Sequence, residues 1–358
     1  MLVDQRLNRL LESIQSVDVA FIEKARARQL ELTKPPASLG RLEEIANRMA
    51  AIQGTLSPSV DRPRIVLFAA DHGVCAEGVN PYPQAVTAQM VANFLRGGAA
   101  INAIACVVGA ELEIVDAGVA FDIPSTEGLI RSPIARGTKD FCVEPAMSRE
   151  QGIEALTMGA EMAERATAEG CRLLGIGEMG IGNTTVASAL TAALTGLPVA
   201  SVTGAGTGAD DACMLRKSSA IERALALHMP HIDGPLDMLT RLGGFEIAAM
   251  CGCCLGAAAS RCTLLVDGFI ATVAATLAVQ FDQRVKDYLF AAHRSTEPGH
   301  TPLLRIIGQR PLLDLEMRLG EGTGAALAIP VVRAAVEALT RMATFESAAV
   351  SERETPAS

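Results

Sequence analysis

The chain has no tryptophan, two tyrosines and five histidines among 358 residues, and aromatics make up only 3% of it. It also lacks any long basic run, and its formal charge is −9 with a pI near 5.2. A nucleic-acid binder would carry a basic footprint, so that class is excluded. No spanning segment is expected. The apolar stretch from Leu264 to Val279 is broken by Asp267 and Gly268, short of the roughly 20 residues a membrane helix needs. The N-terminus, Met1-Leu2-Val3-Asp4-Gln5-Arg6, places charges where a signal peptide needs an apolar core. The expectation is a soluble, cytoplasmic protein with no membrane partner.

Paired metal-type cysteine spacing is missing too. The nine cysteines are odd in number, and Cys251, Cys253, Cys254 and Cys262 sit among small or apolar residues with no histidine nearby. Two C-x-x-C units would be needed for a zinc site. Reduced, buried thiols that pack as small hydrophobes are expected instead, in a reducing compartment and with no metal.

What the chain does have is apolar residues (49%) and 32 glycines, a composition that suits a compact α/β enzyme with many tight turns. Its length exceeds what one core usually supports, so two structural units are expected. The first thirty residues are helix-prone up to Lys34-Pro35-Pro36. Ser38 then stands at an N-cap position, ahead of Glu43 and Glu44, and Leu39, Leu42, Ile45, Ala46 and Met49 share one helical face. This predicts a pair of helices, each with an apolar stripe.

From residue 64 short apolar runs end in polar residues or glycine. Ile65–Ala70 meets Asp71-His72-Gly73, and Leu112–Val115 meets Asp116-Ala117-Gly118. Leu173–Ile176 meets Gly177-Glu178, Leu264–Val266 meets Asp267-Gly268, and Tyr288–Phe290 leads to His293-Arg294-Ser295. Helical stretches between them predict a mostly parallel sheet. Ligands bind beyond the carboxyl ends of such strands. Asp71, His72, Glu178, Asp267 and Ser295 are therefore expected to share one cleft. Further on, Leu312 to Leu319 reads as a short helix, and Ala325 to Met342 as a helix that Pro330 bends near its start. The tail from Ser351 to Ser358 is polar and expected to fray.

Two glycine-rich segments carry candidate chemistry. Gly175-Ile176-Gly177-Glu178-Met179-Gly180 matches a dinucleotide fingerprint. However, the helix start falls near Asn183-Thr184-Thr185, and Ala200-Ser201-Val202-Thr203 fills the place of the acidic residue expected about 20 positions on. This weighs against a nicotinamide-dinucleotide dehydrogenase. The glycines still suit an anion cradle at a helix N-terminus, and Thr203-Gly204-Ala205-Gly206-Thr207-Gly208, followed by Arg216 and Lys217, forms a second. Each alone could be an ordinary tight turn; together they favour a phosphorylated small molecule. Glu321, flanked by Gly320 and Gly322, is either a first-turn helix charge or an acid–base group aimed into a cleft. Asp71 and His72 could be a catalytic pair, but strand-end hydrogen bonding is the simpler role.

The ordered motifs resemble those of nicotinate-nucleotide:dimethylbenzimidazole phosphoribosyltransferases, of the cobalamin lower-ligand pathway. The resemblance runs from Lys34-Pro35-Pro36-Ala37-Ser38-Leu39-Gly40 through Ala70-Asp71-His72-Gly73-Val74, Gly177–Thr185 and Gly243-Gly244-Phe245-Glu246 to Met317–Ala326 and on to about Met342. It implies a homodimer with a Rossmann-like three-layer parallel sheet and a small helical domain formed from both termini. On that reading residues 1–55 and 311–345 build the small domain, 56–310 the large one, and 346–358 a tail. It implies transfer of 5-phosphoribose from nicotinate mononucleotide to 5,6-dimethylbenzimidazole with inversion, yielding α-ribazole 5′-phosphate and nicotinate, with no cofactor. Glu321 matches the catalytic base. Glu178, Gly180, Lys217, Ser295, Arg318 and Gly320 match the mononucleotide site, and Tyr82, Gln89 and Leu319 the benzimidazole site. A different base or a phenol as acceptor is the alternative, with a non-catalytic nucleotide sensor as a third reading.

Overall fold

A computed structural model describes residues 2–123, 127–206 and 208–351. Most of the expected polar tail, residues 352–358, and Thr207 of the second glycine-rich loop lie outside the described residues. Among the described residues six strands form one all-parallel sheet: β1 Arg64–Ala70, β2 Glu111–Gly118, β3 Leu129–Arg131, β4 Leu173–Met179, β5 Thr263–Val266 and β6 Leu289–Ala291. Their order is β3-β2-β1-β4-β5-β6. Every residue of β1 and β5 is buried, because helices cover both faces of a parallel sheet and leave no polar face on its inner strands.

The helices Ala100–Val108 and Thr323–Arg341 pack on one another and on the sheet. Phe245–Ala259 and Phe269–Phe281 cover the sheet elsewhere, and Arg149–Ala168 backs Phe245–Ala259. That last pair approaches backbone to backbone. A Cβ at Gly159 would stand 1.7 Å from the Ala249 carbonyl oxygen, and one at Gly252 would stand 1.8 Å from that of Leu156. Cys251, Cys253 and Cys254 are fully buried along the same helix as free thiols. They pack as hydrophobes, as expected, and burial pushes all three thiol pKa values up.

Five strands fall where the apolar runs placed them. β3 was not anticipated, being a three-residue edge strand of half-exposed residues with no continuous apolar run. The N-terminal region contains three helices rather than two, Leu2–Ser13, Val19–Glu31 and Arg41–Gln53. The second and third pack with Thr323–Arg341, whereas Leu2–Ser13 lies on Arg149–Ala168 and Phe245–Ala259. Ser38 is not an N-cap. The cap position is Gly40 at φ 53°, and Glu43 reaches back to take the Leu39 N–H at 3.1 Å and the Lys34 ammonium at 2.7 Å.

Leu312 to Leu319 is not a helix. Its backbone instead extends the hydrogen bonding of β6, with Leu312 and Leu313 N–H donating to Ala291 and Ala292 and the Arg294 N–H to Leu313. Tertiary pairing outweighs helix propensity there, and Glu316 at φ +56° breaks any regular repeat. Two stretches, Val86–Val108 and Thr323–Arg341, are long and apolar enough to cross a membrane by composition alone. Gly97 and Gly98 interrupt the first, and the second has its apolar residues inside the fold.

Candidate active site

In this strand order the direction of winding reverses between β1 and β4, where the loops diverge and leave a crevice at the carboxyl ends. A cavity of about 390 Å³ opens there, lined by groups that include Glu178, Asp267, Ser295, Arg318, Gly320 and Glu321.

Glu321 reaches the cavity through an unusual backbone. Gly320, Glu321 and Gly322 all have left-handed φ, at 89°, 63° and 83°. For a side chain such as glutamate this region costs about 1–2 kcal/mol, so surrounding contacts must hold it. Asp267 supplies two, accepting the Gly322 N–H at 3.1 Å and the Ala325 N–H at 3.0 Å. β4 supplies the floor, since a Cβ at Gly177 would lie 2.5 Å from the Glu321 carbonyl carbon. The glycines of the dinucleotide-like motif are thereby explained differently from expectation. Gly175 and Gly177 lie inside β4, where the absent side chains admit Ile65, Ala325 and the loop carrying Glu321. Neither lines the cavity.

Glu321 is 6% exposed, and its Oε2 accepts the Ile101 N–H at 3.3 Å. Ile101 is in the first turn of Ala100–Val108, where free N–H groups and the helix dipole favour an anion. Burial raises the Glu321 pKa, with the Ile101 bond opposing and the charge of Asp267 adding. A raised carboxylate is what proton abstraction near neutrality needs. Glu178, at the end of β4, is pushed to about 8 by burial, with Glu246, Asp267 and Glu321 adding repulsion and the Asn183 amide, bonded to its Oε2, opposing.

The helix Asn183–Thr195 begins at the cavity with Asn183 and Thr184 on its wall, so one anion-favouring N-terminus is present as anticipated. Lys217 is buried behind this wall. Its ammonium donates to Thr184 Oγ1 and the Gly204 carbonyl, both at 3.0 Å, and burial lowers its pKa against the pull of Glu297. Arg318 donates to the Gly206 carbonyl, tying the second glycine-rich loop to the segment that carries Glu321. Arg216 instead donates to the Gly78 carbonyl at 2.8 Å.

Of the matched positions, Tyr82, Glu178, Gly180, Ser295, Arg318, Leu319, Gly320 and Glu321 line the cavity, and Lys217 and Gln89 do not. Gln89 is exposed on the helix Val86–Leu95, which faces the cavity with Val86 and Met90, one turn apart. Asp71 and His72 stay out of the cleft as well, contrary to the expectation of a shared crevice. Asp71 accepts Thr87 Oγ1 at 2.7 Å and the Ala120 N–H at 2.8 Å. His72 Nε2 stands 2.8 Å from Glu246 Oε1 with both side chains fully buried. The two form a buried pair outside the cavity lining. Burial lowers the His72 pKa, and Glu246 together with Asp71 more than reverses this.

Sequence reasoning missed Glu297, a buried carboxylate on the wall whose Oε1 accepts the Gly206 N–H at 3.1 Å. It follows Ser295 by two residues, so the strand-end rule could have reached it. Ile101 could not have been found, since its contribution is a backbone N–H that any residue but proline supplies. Away from the cavity, Glu77, Asp140 and Cys142 place potential metal-ligating atoms within 4.8 Å of each other. Arg223 already pairs with Glu77, and the Cys142 thiol is pushed up to about 12 by burial and nearby acids.

A family model described as phosphoribosyltransferase matches residues 14–350. This chain belongs to that phosphoribosyltransferase family. A relative from Geotalea uraniireducens, named nicotinate-nucleotide–dimethylbenzimidazole phosphoribosyltransferase, is 51% identical over 97% of this chain and 99% of its own length. One of the same name from Chloroflexus aggregans is 50% identical over 97% and 98%. The crystal structure of the Thermus thermophilus protein bearing that name superposes with a TM-score of 0.89 at 48% identity, covering 94% of this chain and 100% of the other. The phosphoribosyltransferase fold is thus present over nearly the full length, with Glu321 and Glu178 together at its crevice.

Proposed function

We propose that this phosphoribosyltransferase moves 5-phosphoribose from nicotinate mononucleotide to 5,6-dimethylbenzimidazole, forming α-ribazole 5′-phosphate and nicotinate for cobalamin nucleotide-loop assembly. The observation that carries the reading is the Glu321 carboxylate, fixed on a left-handed turn at the cavity wall beside Glu178. The donor's ring is a pyridinium, so breaking its bond to the anomeric carbon returns the bonding pair to the ring nitrogen and releases a neutral heterocycle. The sugar then carries oxocarbenium character, which an ionised Glu178, itself buried at the end of β4, stabilises by charge. One benzimidazole nitrogen attacks with its lone pair from the opposite face, inverting the centre from β to α. The other nitrogen gives its proton to Glu321, so no positive charge accumulates on the new ring. The scheme calls on no cofactor.

The Asn183 helix N-terminus, Ser295, Gly180, Arg318 and Gly320 are the groups we assign to the donor, with Lys217 acting through Thr184 and Gly204. Tyr82, Leu319 and Met90 are the apolar flank we assign to the acceptor, with Gln89 a peripheral contact. This flank selects by shape rather than by a fixed hydrogen-bond pattern, which keeps a different base or a phenol in play as acceptor. Assembly as a cytoplasmic homodimer, with residues from both termini forming the small domain, completes the reading and is checked by sedimentation. The deciding experiment incubates the protein with both substrates and identifies the products by mass and anomeric configuration. An α-linked riboside phosphate is expected; a β-linkage, or no transfer, refutes the proposal.

A further inference from the structure

His300 is fully buried and takes no part in lining the cavity, yet it joins two strand ends that do. The Ser295 N–H, just past β6, donates to His300 Nδ1 at 2.9 Å. His300 Nε2 lies 2.9 Å from Thr272 Oγ1, and that hydroxyl donates to the Gly268 carbonyl at 2.7 Å, just past β5. Proton bookkeeping leaves one arrangement. The backbone N–H of Ser295 has only a proton to offer, so Nδ1 must accept. A neutral imidazole then carries its proton on Nε2. The single Thr272 proton goes to Gly268, so Oγ1 must accept from Nε2. An imidazolium would set two donors against each other at Nδ1. Separately, burial lowers the His300 pKa to about 3, with the charge of His293 adding and the Ser295 backbone opposing.

We infer that His300, through Thr272, is a positioning residue that fixes the spacing between Ser295 and Gly268 on the donor side of the cavity. The inference rests on the proposed reaction for which side that is. The gap it controls is narrow, since a Cβ at Gly268 would come 2.9 Å from His293 Nε2 and 3.8 Å from Ser295 Cβ. A neighbouring constraint acts in the same direction. Gly299, next to His300, packs under the Phe269 ring on the cavity wall, where a Cβ would lie 2.7 Å from Cε2. A histidine serves here because its rigid ring offers an acceptor and a donor on opposite sides at a fixed separation.

The test combines kinetics with a spectroscopic signature. In ¹⁵N-histidine-labelled enzyme the His300 ring should show the Nε2–H tautomer without titrating between pH 5 and 8, and Thr272→Val, which keeps the shape and removes the hydroxyl, should shift its Nε2 resonance. Thr272→Val and His300→Gln should each raise KM for nicotinate mononucleotide about 10- to 100-fold, the scale of a small misplacement, and leave KM for dimethylbenzimidazole within about twofold. The double variant should be no worse than the poorer single one, because both break one chain of hydrogen bonds. His300→Asn, whose amide oxygen can still accept from Ser295, should recover part of the donor affinity. An Nδ1–H tautomer, equal changes in both KM values, or unaltered kinetics in Thr272→Val would overturn the inference. Wild-type protein that forms no product fails the functional reading instead, and the tautomer measurement reads the network regardless of which reaction occurs.

Discussion

Glycine does two unrelated things in this molecule, and comparing the crevice rim with the helix pair behind the sheet separates them. At the rim, Gly320 and Gly322 are needed for their left-handed φ and Gly177 for the space its missing side chain leaves under Glu321. In the pair Arg149–Ala168 and Phe245–Ala259 the glycines are ordinary helical residues, and only the absent Cβ matters, because it lets carbonyls meet the neighbouring helix. The first set shapes the loop that carries Glu321 and the second supports a packing distance. A substitution in each should therefore fail in a different observable.

The largest effect expected is at the rim itself. Glu321→Gln keeps the loop and removes the basicity, so turnover should fall roughly 10²–10⁴-fold with both substrates still bound in calorimetry; near-normal turnover would remove Glu321 from the role. Gly177→Ala should cost activity on the order of 10²-fold by lifting the loop, while circular dichroism keeps its native form. Behind the sheet, Gly159→Ala or Gly252→Ala should instead destabilise by about 1–3 kcal/mol in denaturant titration, with kcat per folded molecule unchanged. If all three variants lose activity and stability in proportion, the two glycine roles are not separable.

Acidity sharpens the same contrast, since the rim concentrates carboxylates and the helix pair has thiols. Glu178 holds its proton up to about pH 8 in the folded chain, against an ordinary value of 4.5. Its raised value adds stability that is fully present below the ordinary carboxylate pKa and is lost as pH rises through about 8. Melting followed across that window should show this decline, and Glu178→Gln should flatten it. On the proposed mechanism turnover runs the opposite way, because the ionised form is the one assigned to stabilise the sugar cation. The smallest effect is conformational. Glu321→Gly should be more stable than Glu321→Ala by about 1 kcal/mol, a difference that two parallel urea titrations would resolve.

The sheet and much of the rim were legible because buried parallel strands must be apolar throughout and their carboxyl ends must turn polar. This is why the sequence pattern groups Glu178, Asp267 and Ser295 at one end of the sheet. Asp71 and His72 obeyed the same pattern yet face elsewhere, each taken up by a partner distant in sequence, Ala120 and Glu246. Leu312 to Leu319 misled because its residue types suit a helix while its backbone is claimed by β6. The roles of His300 and Ile101 were invisible for a related reason. One acts through hydrogen bonds to backbone and hydroxyl groups, the other through its own amide, and neither leaves a residue-type signature.

The turn at residues 320–322 fixes where the Glu321 carboxylate pivots as well as which way it points. With Gly177 beneath and Asp267 gripping the far side, the main chain cannot slide to make up a lost methylene. Aspartate at position 321 would thus be a lever cut short on a pinned fulcrum, with the chemistry intact and the reach gone. For the proton transfer we propose, reach is set by length.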